Sequence, residues 1–193
     1  MMKKRLMLTG GSYAGRRLYV PESGVRPATN MVREAIFSTL RQYLQEGEAG
    51  MRVLDLFAGS GSLGLEALSR GARLAVFVDS GKEAVLSIRK NLEMLGFTDR
   101  RRAQVVASDA ALYLKRHGEL RFEVVFMDPP YRFAGAGRIV EHLKRSLAAG
   151  TVTILVYERF YRAEPPDFGS GAEPLKRKKY GQSEILYYRL YSA

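Results

Sequence analysis

Five short, mostly apolar runs, at 53–57, 74–78, 104–107, 123–127 and 152–157, alternate with helix-length segments at 62–70, 82–95 and 138–147. Strands that are apolar at nearly every position, rather than at every second one, are covered on both faces, as happens when helices pack on either side of a parallel sheet. The intervening segments carry the matching signal, clearest in Val85, Ile88, Leu92 and Leu95, three or four residues apart. The alternation predicts an α/β fold, doubly wound around a mostly parallel sheet. After Pro165-Pro166 the pattern changes. Residues 175–180 and 184–191 read as a closing antiparallel hairpin turned at Gly181-Gln182, which brings the sheet to seven strands.

The first 47 residues are of another kind. Gly10, Gly11, Gly15 and Gly24 interrupt short apolar pieces, which predicts a small β-hairpin or arm. Beyond Pro27, Val32, Ile36, Leu40 and Tyr43 or Leu44 recur at helical spacing with Thr29 as N-cap, which predicts one amphipathic helix ending near Gly47. At ~150 residues per domain, a chain of this length holds one core plus an appendage. The expected division is a basic arm and helix over 1–47 and the α/β domain over 48–193.

The chain carries 31 Lys and Arg against 20 Asp and Glu, a net charge of +11, which points to an anionic partner. It has no Cys, which excludes disulfides, thiolate zinc sites and a cysteine nucleophile, and its two His leave little for a metal. His117 and His142 read as structural or exposed residues rather than members of a triad. No apolar run approaches the ~18 residues of a membrane span, and 6–8 is too short for a signal-peptide core. A soluble, cytoplasmic protein is expected.

The strongest local structure is Asp55-Leu56-Phe57-Ala58-Gly59-Ser60-Gly61-Ser62-Leu63-Gly64, a buried strand running into a glycine-rich turn and then a helix. Such glycines let a backbone approach a ligand, and the helix start offers free N–H groups, which favours a nucleotide-type ligand over an ordinary turn. Asp79, followed by Ser80, ends the next strand, where an open α/β sheet places the acid that binds ribose hydroxyls; a helix cap is the alternative. Asp109, before Ala110, ends the third strand. It suits an adenine amino group and a helix cap equally.

Asp128-Pro129-Pro130-Tyr131 separates the nucleotide possibilities. A chosen tetrapeptide of this kind arises by chance in roughly 10⁻³ of chains this long. Its chemistry suits methyl transfer to an exocyclic amine, whose lone pair is delocalised into the ring. Asp128 and a proline carbonyl can accept from the NH₂ and orient it, the prolines hold φ near −65°, and Tyr131 offers a face on which a base can stack.

These motifs, in this order, resemble the class I S-adenosylmethionine-dependent methyltransferases that act on exocyclic nitrogens, with their Rossmann-like fold. Gly10-Gly11, the run Gly15-Arg16-Arg17-Leu18, Pro21, Arg26-Pro27 and the run Val32-Arg33-Glu34-Ala35-Ile36-Phe37 are similar to the ribosomal RNA small subunit methyltransferase D family, as is the segment at 180–184. Ala28 departs from it, standing where that family usually has Thr. The resemblance implies methylation of guanine N2 in 16S ribosomal RNA, naked or in a small-subunit assembly particle, by a monomer using S-adenosylmethionine and no metal. It implies that Asp55, Phe57, Ala58, Gly59, Gly61 and Gly64 hold the methionine part of the cofactor, that Asp79 and Ser80 hold ribose, and that Asp109 and Ala110 hold adenine. Asp128, Pro129, Pro130 and Tyr131 would take the target base.

Lys3, Lys4, Arg5, Arg16, Arg17, Arg26 and Arg33 are then expected on RNA phosphates, with 176–179 as a second basic cluster and Tyr13 and Tyr19 as stacking partners. Arg100-Arg101-Arg102 reads as a solvated loop, and 132–137 as a segment able to close over substrate. A DNA adenine-N6 methyltransferase would share the tetrapeptide but needs a target-recognition region for which there is no room. Protein glutamine methyltransferases usually begin the motif with Asn. A non-catalytic RNA-binding module would have no use for the acids at 55, 79 and 128.

Overall fold

The computed structural model describes residues 6–20, 29–44, 50–130, 133–162 and 164–192. In chain order the elements are α1 (Asn30–Leu40), β1 (Arg52–Leu56), α2 (Ser62–Ser69), β2 (Leu74–Asp79), α3 (Lys82–Met94), β3 (Ala103–Ala107), α4 (Ala110–Arg116), β4 (Val124–Met127), α5 (Ala136–Ser146), β5 (Val152–Phe160), β6 (Ala172–Tyr180) and β7 (Ser183–Tyr191). One seven-stranded sheet runs β3-β2-β1-β4-β5-β7-β6. The first five strands are parallel, and β7 and β6 close the edge antiparallel.

The layers follow from the strand alternation. Val53, Phe77, Val124, Phe126, Ile154 and Val156 face α1, α2 and α3, whereas Leu54, Leu56, Val125, Met127 and Leu155 face α4 and α5. The mostly apolar runs are therefore two interleaved sets, each serving its own core. Thr29 caps α1 as expected, its Oγ1 accepting from Val32 N at 3.3 Å. The helix ends earlier than the apolar spacing suggests, because Gln42 N bonds Thr39 O and Tyr43 N bonds Leu40 O in a tight turn. Gly47 lies outside the described residues.

Before α1 the expected hairpin is short: Met7 and Arg17 form an antiparallel bridge, Leu8 N donates to Arg16 O at 3.0 Å and Leu18 N to Leu6 O at 2.9 Å, around a 3₁₀ turn at Gly11–Tyr13. Leu6, Leu8 and Leu18 join the same core as α1 to α3. Polar bonds tie the segment down. Thr9 donates through N and Oγ1 to Glu66, both at 2.8 Å, Tyr13 N donates to Ser69 Oγ at 3.0 Å, and Tyr19 N donates to Asn91 Oδ1 at 2.7 Å.

This packing corrects one expectation. Arg33 is fully buried, donates to Asn30 Oδ1 at 3.0 Å and to Met7 O, and lies 3.6 Å from Glu66, so it cannot reach a phosphate. Arg16 and Arg17 are exposed. Tyr13 is committed to Phe97, ring centroids 5.1 Å apart, while Tyr19 stays exposed under Lys90 Nζ, 4.0 Å from its ring. Lys3, Lys4, Arg5 and Arg26 lie outside the described residues.

Candidate active site

In an open α/β sheet, ligands bind at the carboxyl ends of the strands where the order reverses. Here that point lies between β1 and β4, which are adjacent in space but far apart in sequence. The carboxyl ends of β1, β2 and β4 and the segments that follow them bring Asp55, residues 57–61, Asp79, Ser80, Asp128 and Pro129 together, with Asp109 and Ala110 further along at the end of β3.

Two acids hold the glycine-rich segment in shape. Buried Asp55 accepts from Gly64 N at 2.9 Å, satisfying one of the free N–H groups at the start of α2. Asp79 accepts from Gly59 N at 2.8 Å and from Gly81 N at 2.7 Å. Gly61, the N-cap of α2, has φ +76°, a conformation glycine adopts without strain. Gly64 is required for another reason: a Cβ there would sit 2.3 Å from the Phe77 ring. This glycine closes the α2 to β2 packing rather than opening a face to ligand. Phe57 holds φ 61° without being glycine, a backbone cost that sites retain when the surroundings impose it. Its ring meets Phe133 edge-on, 5.1 Å between centroids.

The electrostatics of the crevice are one-sided. Burial, with Asp79 nearby, pushes the Asp55 carboxyl up to about 8, against the pull of the Gly64 N–H. Burial also raises Asp128 well above the usual carboxylate range, with Glu158 and Asp55 adding to it. Among the described residues, none of Asp55, Asp79 and Asp128 has an ion-pair partner. A crevice of uncompensated acids suits a cationic ligand, and the donor set fits S-adenosylmethionine, which carries a sulfonium and an ammonium. Among the described residues no group of three or more His, Cys, Asp or Glu could hold a metal ion.

Asp109 accepts from Leu112 N at 3.0 Å, so it does cap α4; it is exposed, and its second oxygen stays open to solvent. Beside Asp128, Pro129 and Pro130 line a cavity of about 230 Å³ with Phe133, Tyr157, Glu158 and Arg159. Tyr131 lies outside the described residues. His117 is the C-cap of α4, its ring on Tyr113 with Nδ1 2.8 Å from Tyr113 O.

Two residues of the site escaped the sequence. Asn91 is buried on α3 and donates to Tyr19 O at 2.9 Å and Ser60 O at 3.1 Å, which ties the N-terminal segment to the glycine-rich turn. A polar residue on the apolar face of a helix was its signal. Glu158 lies just beyond the apolar run at 152–157, whereas β5 runs to Phe160.

The family described as Conserved hypothetical protein 95 matches residues 6–189. The ribosomal RNA small subunit methyltransferase D of Haemophilus influenzae is 34% identical over 191 residues, 98% of this chain and 94% of that protein. The Escherichia coli protein of the same name is 40% identical over 129 residues, 66% of this chain and 61% of its own length. The solved structure of yhhF from Escherichia coli superposes with TM-score 0.83 at 30% identity, covering 98% of this chain and 99% of that one.

Proposed function

Because this chain belongs to the family described as Conserved hypothetical protein 95, we propose that it transfers a methyl group from S-adenosylmethionine to the exocyclic N2 of a guanine in 16S ribosomal RNA. The relatives named ribosomal RNA small subunit methyltransferase D support the substrate. One observation in this structure carries the chemistry. Asp128, which has no ion-pair partner among the described residues, follows β4 at the point where the strand order reverses, beside a cavity lined by its own two prolines.

Asp55, Phe57, Ala58 and Gly59 hold the methionine part of the cofactor, with Gly61 and Gly64 shaping the turn from behind. Asp79 and Ser80 hold ribose; Asp109 and Ala110 meet the adenine, through the Asp109 oxygen that the cap does not use. The cofactor, when bound, supplies a methyl group already activated by its sulfonium. Asp128 and the Pro129 carbonyl accept from the guanine N2 amino group and aim its lone pair, while Pro130 and Tyr131 border the base. Positioning of this kind supplies roughly 7–11 kcal/mol of a barrier. As the new N–C bond forms, the amine becomes acidic. Asp128, as the carboxylate, takes the proton that leaves N2. The guanine edge is out of reach in a paired stack, so the target base is unpaired or flipped out.

Residues 1–47 serve as a basic extension to the domain at 48–193, with Arg16 and Arg17, together with Lys3, Lys4, Arg5 and Arg26, on phosphates. The enzyme works in the cytoplasm as a monomer, on the rRNA or on a small-subunit assembly particle. No helix among the described residues is long and apolar enough to cross a membrane.

The test is incubation with deuterium-methyl-labelled S-adenosylmethionine and, in parallel, 16S rRNA, small-subunit particles lacking the modification, and DNA, followed by mass spectrometry of the nucleosides. Label is expected in N2-methylguanosine from RNA or particles. Label in DNA adenine overturns the substrate. Asp128→Asn is expected to lower the rate by about 10²-fold or more while S-adenosylmethionine still binds.

A further inference from the structure

β4 and β5 run parallel with Met127 opposite Tyr157, so the next residues, Asp128 and Glu158, come side by side on strands about 5 Å apart. Strand alternation puts Glu158 on the same sheet face as Val156 and Ile154, the face that also carries Asp55. Glu158 is 6% exposed and lines the cavity with Pro129 and Pro130. One of its oxygens, Oε2, is buried with no hydrogen-bond partner. Among the described residues no ion pair joins it to a cation, and Arg159, next in the chain, is paired with Glu184. A side-chain hydrogen bond joins it to Ser183. A buried carboxyl with an open acceptor, beside the acid of the reaction, is costly to keep unless a ligand completes it.

We infer that Glu158 selects the base, accepting a hydrogen bond from N1–H of the target guanine through Oε2 while Asp128 and the Pro129 carbonyl hold the N2 amino group. This rests on the functional reading above and adds the residue that decides among amines. The Asp-Pro-Pro segment suits guanine N2, adenine N6 and cytosine N4 alike. Guanine alone of the three presents a ring N–H beside its amino group; adenine and cytosine present a lone pair there. Two side-by-side acceptors match adjacent donors, and the donors relieve the repulsion between the acids. A ring lone pair would face Glu158 as an acceptor against an acceptor.

The experiment compares wild type and Glu158→Gln on the rRNA or particle that the wild type methylates, with guanine or 2-aminopurine at the target position. 2-Aminopurine keeps the 2-amino group and has a lone pair at N1. The wild type is expected to prefer guanine by at least about 10²-fold in kcat/KM, as sites built to bond a substrate N–H do. In Glu158→Gln, whose amide can donate to that lone pair, the preference is expected to fall below about 10-fold, with the S-adenosylmethionine affinity of wild type and a melting temperature no lower than wild type. Glu158→Asp keeps the charge but shortens the reach, so it is expected to lose guanine activity while still rejecting 2-aminopurine. A wild type that accepts both bases equally, or a Gln variant with undiminished preference, overturns the role of Glu158 and leaves the methyltransferase reading standing. A wild type that methylates no RNA overturns both.

Discussion

Arg33 on α1 and Glu66 on α2, both without exposed surface, lie 3.6 Å apart beneath the N-terminal segment. Glu66 also accepts from Thr9 and, at 2.9 Å, from Arg70 Nε. One acid thus binds three parts of the chain, and removing it takes the carboxylate away from a buried guanidinium. Glu66→Ala is expected to destabilise the protein by about 3–5 kcal/mol in urea unfolding and to open residues 6–20 to proteolysis. A loss below about 1 kcal/mol would show that the pair does not hold the segment.

Arg16 and Arg17 should behave in the opposite way. Replacing both by Ala is expected to leave stability within about 0.5 kcal/mol. RNA affinity should weaken, and the slope of log affinity against log salt should shrink by about 0.7 for each single-strand phosphate that is no longer neutralised. An unchanged salt slope would remove these two residues from the interface.

Gly64 is held to its size by Phe77 across the α2 to β2 contact. Gly64→Ala must push helix and ring apart, at a cost of about 1–3 kcal/mol. The turn at 57–61 moves with the helix, so S-adenosylmethionine affinity measured by calorimetry should fall as well. Adding Phe77→Leu should recover part of the stability; if it recovers none, the glycine acts through something other than that ring.

The sign of the Asp55 effect follows from its folded-state pKa of about 8, against 3.8 for an ordinary Asp carboxyl. The folded protein holds the proton more tightly than the unfolded chain. Asp55 therefore costs nothing below pH about 4, draws stability away as pH rises between the two values, and has its full unfavourable effect above about 8. Asp55→Asn keeps an acceptor for Gly64 N and carries no charge. Without cofactor, its melting temperature should match wild type at pH 4 and exceed it at pH 8.5. A difference that does not grow with pH would mean that Asp55 is not held neutral by burial.

The order of strands and helices was legible because the parallel strands are buried on both faces and so appear as mostly apolar runs. Thr29 was legible because capping is local: donor and acceptor are three residues apart. Asp128-Pro129-Pro130 stood out because its residues are contiguous. Arg33 was misjudged because its partner is 33 positions away, and nothing near Arg33 in the chain distinguishes a buried arginine from an exposed one. Glu158 was missed for a related reason. The pair of charges Glu158-Arg159 reads as a strand leaving the core, yet each finds a buried place because β7 continues alongside, with Ile185 and Glu184 opposite them.

The sequence alone determined the features that depend on neighbours along the chain: periodicity, caps, the glycine-rich turn and the Asp-Pro-Pro segment, and with them the fold class and the kind of chemistry. Only the tertiary structure decided which charges are paired and which are left over. That depends on burial and on partners brought together from distant positions. The same folding that hides Arg33 against Glu66 leaves Asp55, Asp128 and Glu158 on one sheet face with no ion pair among the described residues, because the desolvation that governs a charge is a property of the assembled layers.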